Sequence, residues 1–175
     1  MAIKMKSQVV IFSIALLLLM SSCFFINGVY YDYDKQGNII MMKHYKYGKK
    51  HGIFIEYNNQ GDTMTIDYYK NGRLDGVSIS YYDNRNIKFY TEWKNGYQEG
   101  ISKFYYESGQ LYQKISFKEG LFDGESIFFY ENGNIQQVDQ SKRGVKDGVW
   151  FYMNEQGDTI KIEVYNMGKL EKTTL

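Results

Sequence analysis

The sequence predicts an all-β protein, an elongated, open, single-layer antiparallel β-meander of 24-residue hairpin repeats preceded by an N-terminal signal helix. Three observations predict it. Glycines recur at a fixed interval of 24 residues: Gly48, Gly72, Gly96, Gly120, Gly144 and Gly168 form one series, and Gly52, Gly76, Gly100, Gly124 and Gly148 a second. A third series runs Gly37, Gly61, Gly109, Gly133 and Gly157, with Arg85 in place of its missing member. The composition is that of a sheet, with no Pro, 17 Gly, 18 Tyr and 11 Phe, so that glycine does all the turning. Fixed-period self-similarity is the mark of a repeat architecture, in which each unit buries its surface only against its neighbours.

The chain divides in order. Residues 1–22 read as a signal peptide: Lys4 and Lys6 precede an uncharged apolar run from Val9 to Met20, and Ser21-Ser22 follow. A spanning helix needs about 20 apolar residues, and this run is shorter. Cys23, the only cysteine, stands directly after the small pair, so no disulfide forms within the chain. Met20-Ser21-Ser22-Cys23 resembles a bacterial lipobox, which implies lipidation at Cys23. Residues 23–36 are then a tether and first strand, residues 37–170 the repeat domain, and residues 171–175 a tail, with Lys169 to Leu175 read as a frayed, charged cap. Loss of Lys4 and Lys6 leaves the mature chain slightly acidic. Nucleic-acid binding needs a basic surface, and is not expected.

Within the repeat, the pattern aromatic-Lys-x-Gly-x-x-x-Gly appears as Tyr69-Lys70-Asn71-Gly72 to Gly76, Trp93-Lys94-Asn95-Gly96 to Gly100, and Phe117-Lys118-Glu119-Gly120 to Gly124. Strand-length segments alternate with these turns, giving roughly eleven or twelve strands between Val29 and Val164. Asn132-Gly133 reads as a two-residue hairpin turn with φ above zero at both positions, and the Lys-x-Gly-x-x-x-Gly side as a longer loop with two permissive positions. Where Arg85 replaces glycine, a looser hairpin is expected, with Asn84 or Asn86 in the left-handed position. Neither face of the strands is uniformly apolar: Ile53, Ile55 and Tyr57 correspond to Ile101, Lys103 and Tyr105 one way and to Glu125, Ile127 and Phe129 another. Both faces therefore read as half-wet, which suits tyrosine. The aromatics before each lysine (Tyr45, Tyr69, Trp93, Phe117 and Tyr165, with Ser141 the exception) are expected to form one cross-strand row.

No catalytic residues, cofactor or metal site are assigned. His44 and His51 flank a turn and give way to Tyr68 and Asp75 in the next repeat. Asp75, Glu99, Asp123 and Asp147 recur before the second loop glycine, with Lys70, Lys94, Lys118 and Lys142 close by to neutralise them; one acid per repeat is too few for calcium. A nucleophile with an adjacent base is not discernible.

The aromatic-Lys-x-Gly-x-x-x-Gly core, followed by strands ending in Tyr81-Tyr82 or Tyr105-Tyr106 and then Asn-Gly or Ser-Gly, resembles the MORN-repeat variant, and within it the YwqK-type antitoxin repeat family. The resemblance spans about Gly37 to Leu170. It implies an extended sheet of hairpins serving as an interaction surface without intrinsic catalysis. The antitoxin relationship implies a cytosolic location, against which the signal segment stands. The expected function is thus a lipid-anchored repeat protein of the bacterial cell envelope that binds a protein partner, with Tyr69, Trp93, Phe117 and Trp150 as the candidate surface. A carbohydrate or cell-wall glycan is the alternative partner, favoured if Trp93 and Trp150 are both exposed on one face; the cytosolic antitoxin is the third reading.

Overall fold

A computed structural model of the chain describes residues 26–175; the signal segment and Cys23 lie outside the described residues. One antiparallel sheet accounts for all of it: β1 (Gly28–Tyr33), β2 (Ile39–Lys46), β3 (Lys49–Tyr57), β4 (Thr63–Lys70), β5 (Arg73–Tyr81), β6 (Ile87–Lys94), β7 (Tyr97–Tyr105), β8 (Leu111–Lys118), β9 (Leu121–Phe129), β10 (Ile135–Lys142), β11 (Val145–Lys146), β12 (Gly148–Met153), β13 (Thr159–Asn166) and β14 (Lys169–Thr174). Each strand pairs with its neighbours in sequence, and β11 and β12 both lie against β10. The sheet is open, with β1 and β14 at its two edges. At a spacing of about 4.8 Å per strand it is about 60 Å wide. Residues 171–175, expected as a tail, belong largely to β14, paired with β13 as far as Thr174 opposite Ile162.

The two kinds of turn are the reverse of the sequence expectation. In the Lys-x-Gly turns the flanking residues pair directly, Lys70 with Arg73, leaving only Asn71 (φ 53°) and Gly72 (φ 87°) in the loop. Two successive positive φ values make this the two-residue turn whose twist matches that of the strands. Tyr47, Asn95, Glu119, Arg143 and Met167 take the same left-handed conformation as Asn71, at φ 48 to 53°. The second glycine of the motif is not in a loop at all. Gly76 lies inside β5 at φ 127°, where the register against β4 slips between Asp67 and Tyr69, the sign of a bulge. Gly52, Gly100 and Gly124 repeat it inside β3, β7 and β9, and Gly148, also at positive φ, stands where the strand breaks between β11 and β12.

Asn132-Gly133 closes differently. The Tyr130 N–H donates to Asn134 O at 2.8 Å and the Gly133 N–H to Tyr130 O at 2.9 Å, enclosing three residues of which only Gly133 has a positive φ. This is the three-residue loop with a left-handed last position. Asn132 Oδ1 accepts the Asn134 N–H at 2.9 Å, which fixes the bend. At Arg85 the loop is not loosened. Arg85 itself takes φ 70°, the Tyr82 N–H reaches Asn86 O at 2.8 Å, and the guanidinium pairs with Asp62 at 2.6 Å. An exposed ion pair is worth little, whereas a non-glycine left-handed residue costs about 1 kcal/mol. Arg85→Gly is therefore expected to raise the unfolding free energy by about 0.5 to 1 kcal/mol in urea titration; a loss would show that the ion pair dominates.

Backbone ladders tie each repeat to the next. The turn glycine donates its N–H to a carbonyl of the preceding turn, as in Gly72 to Lys50 O and Gly96 to Leu74 O, both 2.8 Å. On the opposite edge Tyr82, Tyr106 and Tyr130 donate their hydroxyls to Tyr105 O, Phe129 O and Met153 O at 2.8 to 2.9 Å. The equivalent positions nearer the ends are Asp34, Asn58 and Asn154, whose side-chain oxygens instead accept N–H groups of their own loops. Tyrosine thus couples interior repeats, and a short polar side chain closes outer ones on themselves.

The register separates two unlike faces. One row crosses the sheet through Phe54, Asp67, Ser78, Thr91, Ser102, Ile115, Ser126 and Asp139, each directly opposite the next. It continues on the same face through Trp150 and Glu163. Every buried residue among those described (Phe54, Ser78, Thr91, Ser102, Ile115, Asp139 and Trp150) belongs to this row. The other face carries Met42, Ile55, Ile66, Ile79, Tyr90, Lys103, Lys114, Ile127, Val138, Phe151 and Ile162 in an equally continuous row, none of them buried. The sheet is single-layered, as expected, but only one side has anything resembling a core. We call the two sides the ring face and the aliphatic face.

Candidate functional site: the ring face of the sheet

Among the described residues the most buried side chains are short: Ser102 is 1% and Thr91 2% exposed. They form the floor of a trough because larger residues flank them. Tyr69, Trp93 and Phe117 stand on one side, and Phe89, Phe104 and Phe128 on the other. Phe89 and Phe104 approach to a centroid distance of 6.4 Å. Ser102 Oγ and Trp93 Nε1 are buried without a hydrogen-bond partner among the described residues. Tyr69, Trp93 and Phe117 do share one row, but they are not stacked on one another. Each lies directly opposite a bulge glycine, Tyr69 over Gly52, Trp93 over Gly76 and Phe117 over Gly100. The ring covers backbone that has no side chain of its own.

At both ends of the trough the same constellation recurs. Lys50 Nζ lies 4.9 Å from the Phe54 ring centroid and 4.6 Å from Tyr69, whose rings are 4.8 Å apart. Four repeats on, Lys146 Nζ lies 4.0 Å from Trp150 and 4.6 Å from Tyr165, with those rings 5.2 Å apart. A carboxylate sits beside each pair. Asp67 accepts the Ser78 hydroxyl, and Glu163 accepts the Tyr152 and Tyr165 hydroxyls at 2.8 and 3.0 Å. The Tyr152 bond holds the Glu163 carboxyl below its usual range, while burial, with Glu163 adding to it, pushes the Tyr152 hydroxyl well above its own. Trp150 is fixed further by its indole N–H donating to Gln140 O at 2.9 Å.

Ser141 breaks the ring row. It lies opposite Gly124, with Ser126 and Asp139 beside it, and the missing ring leaves a hollow of about 150 Å³ walled by Phe122, Phe128 and Trp150. Asp139 is 8% exposed; Gln137 Nε2 donates to its Oδ1 at 2.7 Å, and no ion pair reaches it among the described residues. Burial pushes its carboxyl up from the usual aspartate value.

Of the predicted surface residues, Tyr69, Trp93, Phe117 and Trp150 all fall on the ring face, the first three half-buried and Trp150 buried. A stacking platform for sugars needs exposed rings, so Trp150 does not serve as one. The repeating acids line one edge as expected, but their partners are not the lysines. Asp75, Glu99, Asp123 and Asp147 accept the backbone N–H of Asn95, Glu119, Arg143 and Met167 at 2.8 to 3.2 Å. Each acid thus holds the left-handed residue of the next turn in place. The His44 and His51 rings meet edge to face at 6.3 Å. Asp139, Lys50, Lys146 and the Ser126 to Ser141 hollow escaped sequence reasoning; the loss of the repeat aromatic at Ser141 was the available signal.

On the aliphatic face Lys103 and Lys114 lie directly opposite each other. Like charges so placed are destabilising. Lys114→Glu is expected to raise stability by about 0.5 kcal/mol, an effect that disappears in 1 M salt; an unchanged or lower midpoint would show the pair to be solvated independently.

The fold and its ring face define a repeat protein: stacked β-hairpins in one open sheet, with side-chain rows displayed on both sides. The family model of the MORN repeat variant matches two adjacent segments, residues 98–119 and 122–142, which cover β7 to β10. This repeat is generally a non-enzymatic module. No curated protein matches the chain.

Proposed function

We propose that the chain is a non-enzymatic, membrane-tethered repeat lipoprotein of the bacterial envelope that presents its sheet, ring face foremost, to a protein partner. The observation that supports this best is the absence of a second layer over the described sheet. Rows of aromatic and aliphatic side chains remain half-exposed on both sides, whereas monomers rarely expose contiguous apolar patches larger than a few hundred Å². The tether rests on the Val9 to Met20 run and the lipobox-like Met20 to Cys23.

Two measurements test the parts separately. Fatty-acid label and membrane retention are expected in the wild type and lost in Cys23→Ser; a soluble, unlabelled, full-length wild type would sink the tether and bring the cytosolic antitoxin forward. A photoreactive residue replacing Phe117 or Tyr69 is expected to crosslink one discrete protein in intact cells, while one replacing Ile66 on the aliphatic face is not. Crosslinks spread evenly over both faces, or none, would refute the partner surface.

A further inference from the structure

We propose that the hollow around Asp139 is a receptor for one cationic side chain, lysine or arginine, of the protein partner. The inference rests on the partner reading above and names what the surface recognises. A buried carboxylate is stabilised by opposite charge or by several donors; among the described residues Asp139 has a single neutral hydrogen-bond donor, Gln137, and feels Lys146 only from a distance, without a direct ion pair, so that burial still outweighs both. Its neighbours on the floor, Ser126 and Ser141, are small and hydroxylated, and Phe122, Phe128 and Trp150 form the walls. An anion flanked by aromatic faces suits an ammonium or guanidinium, drawn by the charge and by the ring quadrupoles together.

The chain itself shows that this wall holds such a group. Lys146 Nζ rests 4.0 Å from the Trp150 centroid, also contacting the Tyr165 hydroxyl at 3.4 Å, and so is retained on the Trp150–Tyr165 side without forming an ion pair to Asp139. At the other end Lys50 occupies the corresponding seat on Phe54 and Tyr69. A smaller hollow of about 80 Å³ lies beside Asp67, Phe54 and Tyr69, but Lys50 already lines it. The larger one around Asp139 has no lysine in its lining, and its volume exists because Ser141 stands where five other repeats carry Tyr45, Tyr69, Trp93, Phe117 and Tyr165.

The test titrates the mature chain, from residue 23 onward with Ser at 23, with butylammonium, butylguanidinium and the neutral butylurea, following the Trp150 indole and Gln137 side-chain amide resonances. Both cations are expected to bind saturably in the millimolar range and butylurea not at all. Asp139→Asn, which keeps an acceptor for Gln137, and Ser141→Phe, which restores the ring and fills the space, are each expected to weaken cation binding at least tenfold while leaving amide shifts of β2 to β6 unchanged. Equal binding of the urea, no saturable shift with either cation, or unchanged affinity in both variants would overturn the receptor. If crosslinks to the ring face form but neither cation binds, the receptor fails and the partner reading stands. If the cations bind but no protein crosslinks, the partner reading fails, and with it the assignment of the cation to a protein side chain.

Discussion

Gly76→Ala is expected to lower the unfolding free energy by about 3 kcal/mol, and Gly133→Ala by only about 1 kcal/mol. Both glycines have positive φ, 127° and 88°, and each substitution incurs the backbone penalty of an L side chain there. They differ in what a methyl group would meet. At Gly76 it would point to the aliphatic face and come within 2.9 Å of Tyr68 Cβ, an atom fixed to the backbone of β4; at Gly133 nothing lies within 4 Å. The strands must therefore part at the bulge, whereas the loop stays as it is. Because each repeat contacts only its neighbours, the damage is expected to be local. Amide exchange in the Gly76→Ala variant should accelerate across β4, β5 and β6 and remain close to wild type in β12 to β14. Equal destabilisation by the two substitutions would show that φ alone explains the glycines.

Trp150→Ala is expected to cost about 3 kcal/mol, the usual range for emptying a buried tryptophan site. The residue is 8% exposed, contacts Tyr165 and Lys146, and anchors its indole N–H on Gln140 O. Trp93→Phe offers the contrast. Its indole nitrogen is buried without a partner, so removing that donor relieves a desolvation penalty that offsets the lost ring area, and the net change is expected to stay within about 0.5 kcal/mol. Urea midpoints for the two variants decide the matter: a Trp93→Phe loss comparable to that of Trp150→Ala would mean that ring size, not hydrogen bonding, governs the row.

The architecture was legible from residue spacing, and the details failed where tertiary partners decide them. Period, strand content and openness follow from three glycine series and the absence of a consistent apolar parity. The assignment of turn types inverted because the left-handed positions beside Gly48, Gly120, Gly144 and Gly168 hold Tyr47, Glu119, Arg143 and Met167, residues that do not announce positive φ. Three of these turns are held by a carboxylate of the preceding repeat, Glu99, Asp123 or Asp147, a partner 20 residues away that local propensity does not register. The buried Ser78, Thr91 and Ser102 were similarly opaque, since alone they read as a wet face. Only the register shows the rings on either side of them. Asp139 gains its character in the same way, from the ring that Ser141 lacks.

The ladders between turns carry a consequence for how such a molecule changes over generations. Turn glycines, acids and interior tyrosines all reach one repeat forward or back and no further. An in-frame duplication or excision of one whole unit therefore joins ends that already fit, and the backbone ladder severed between turns is remade by its equivalent. Each such event moves the two edges of the sheet by about 10 Å, the width of two strands, so reach can be selected separately from stability and recognition.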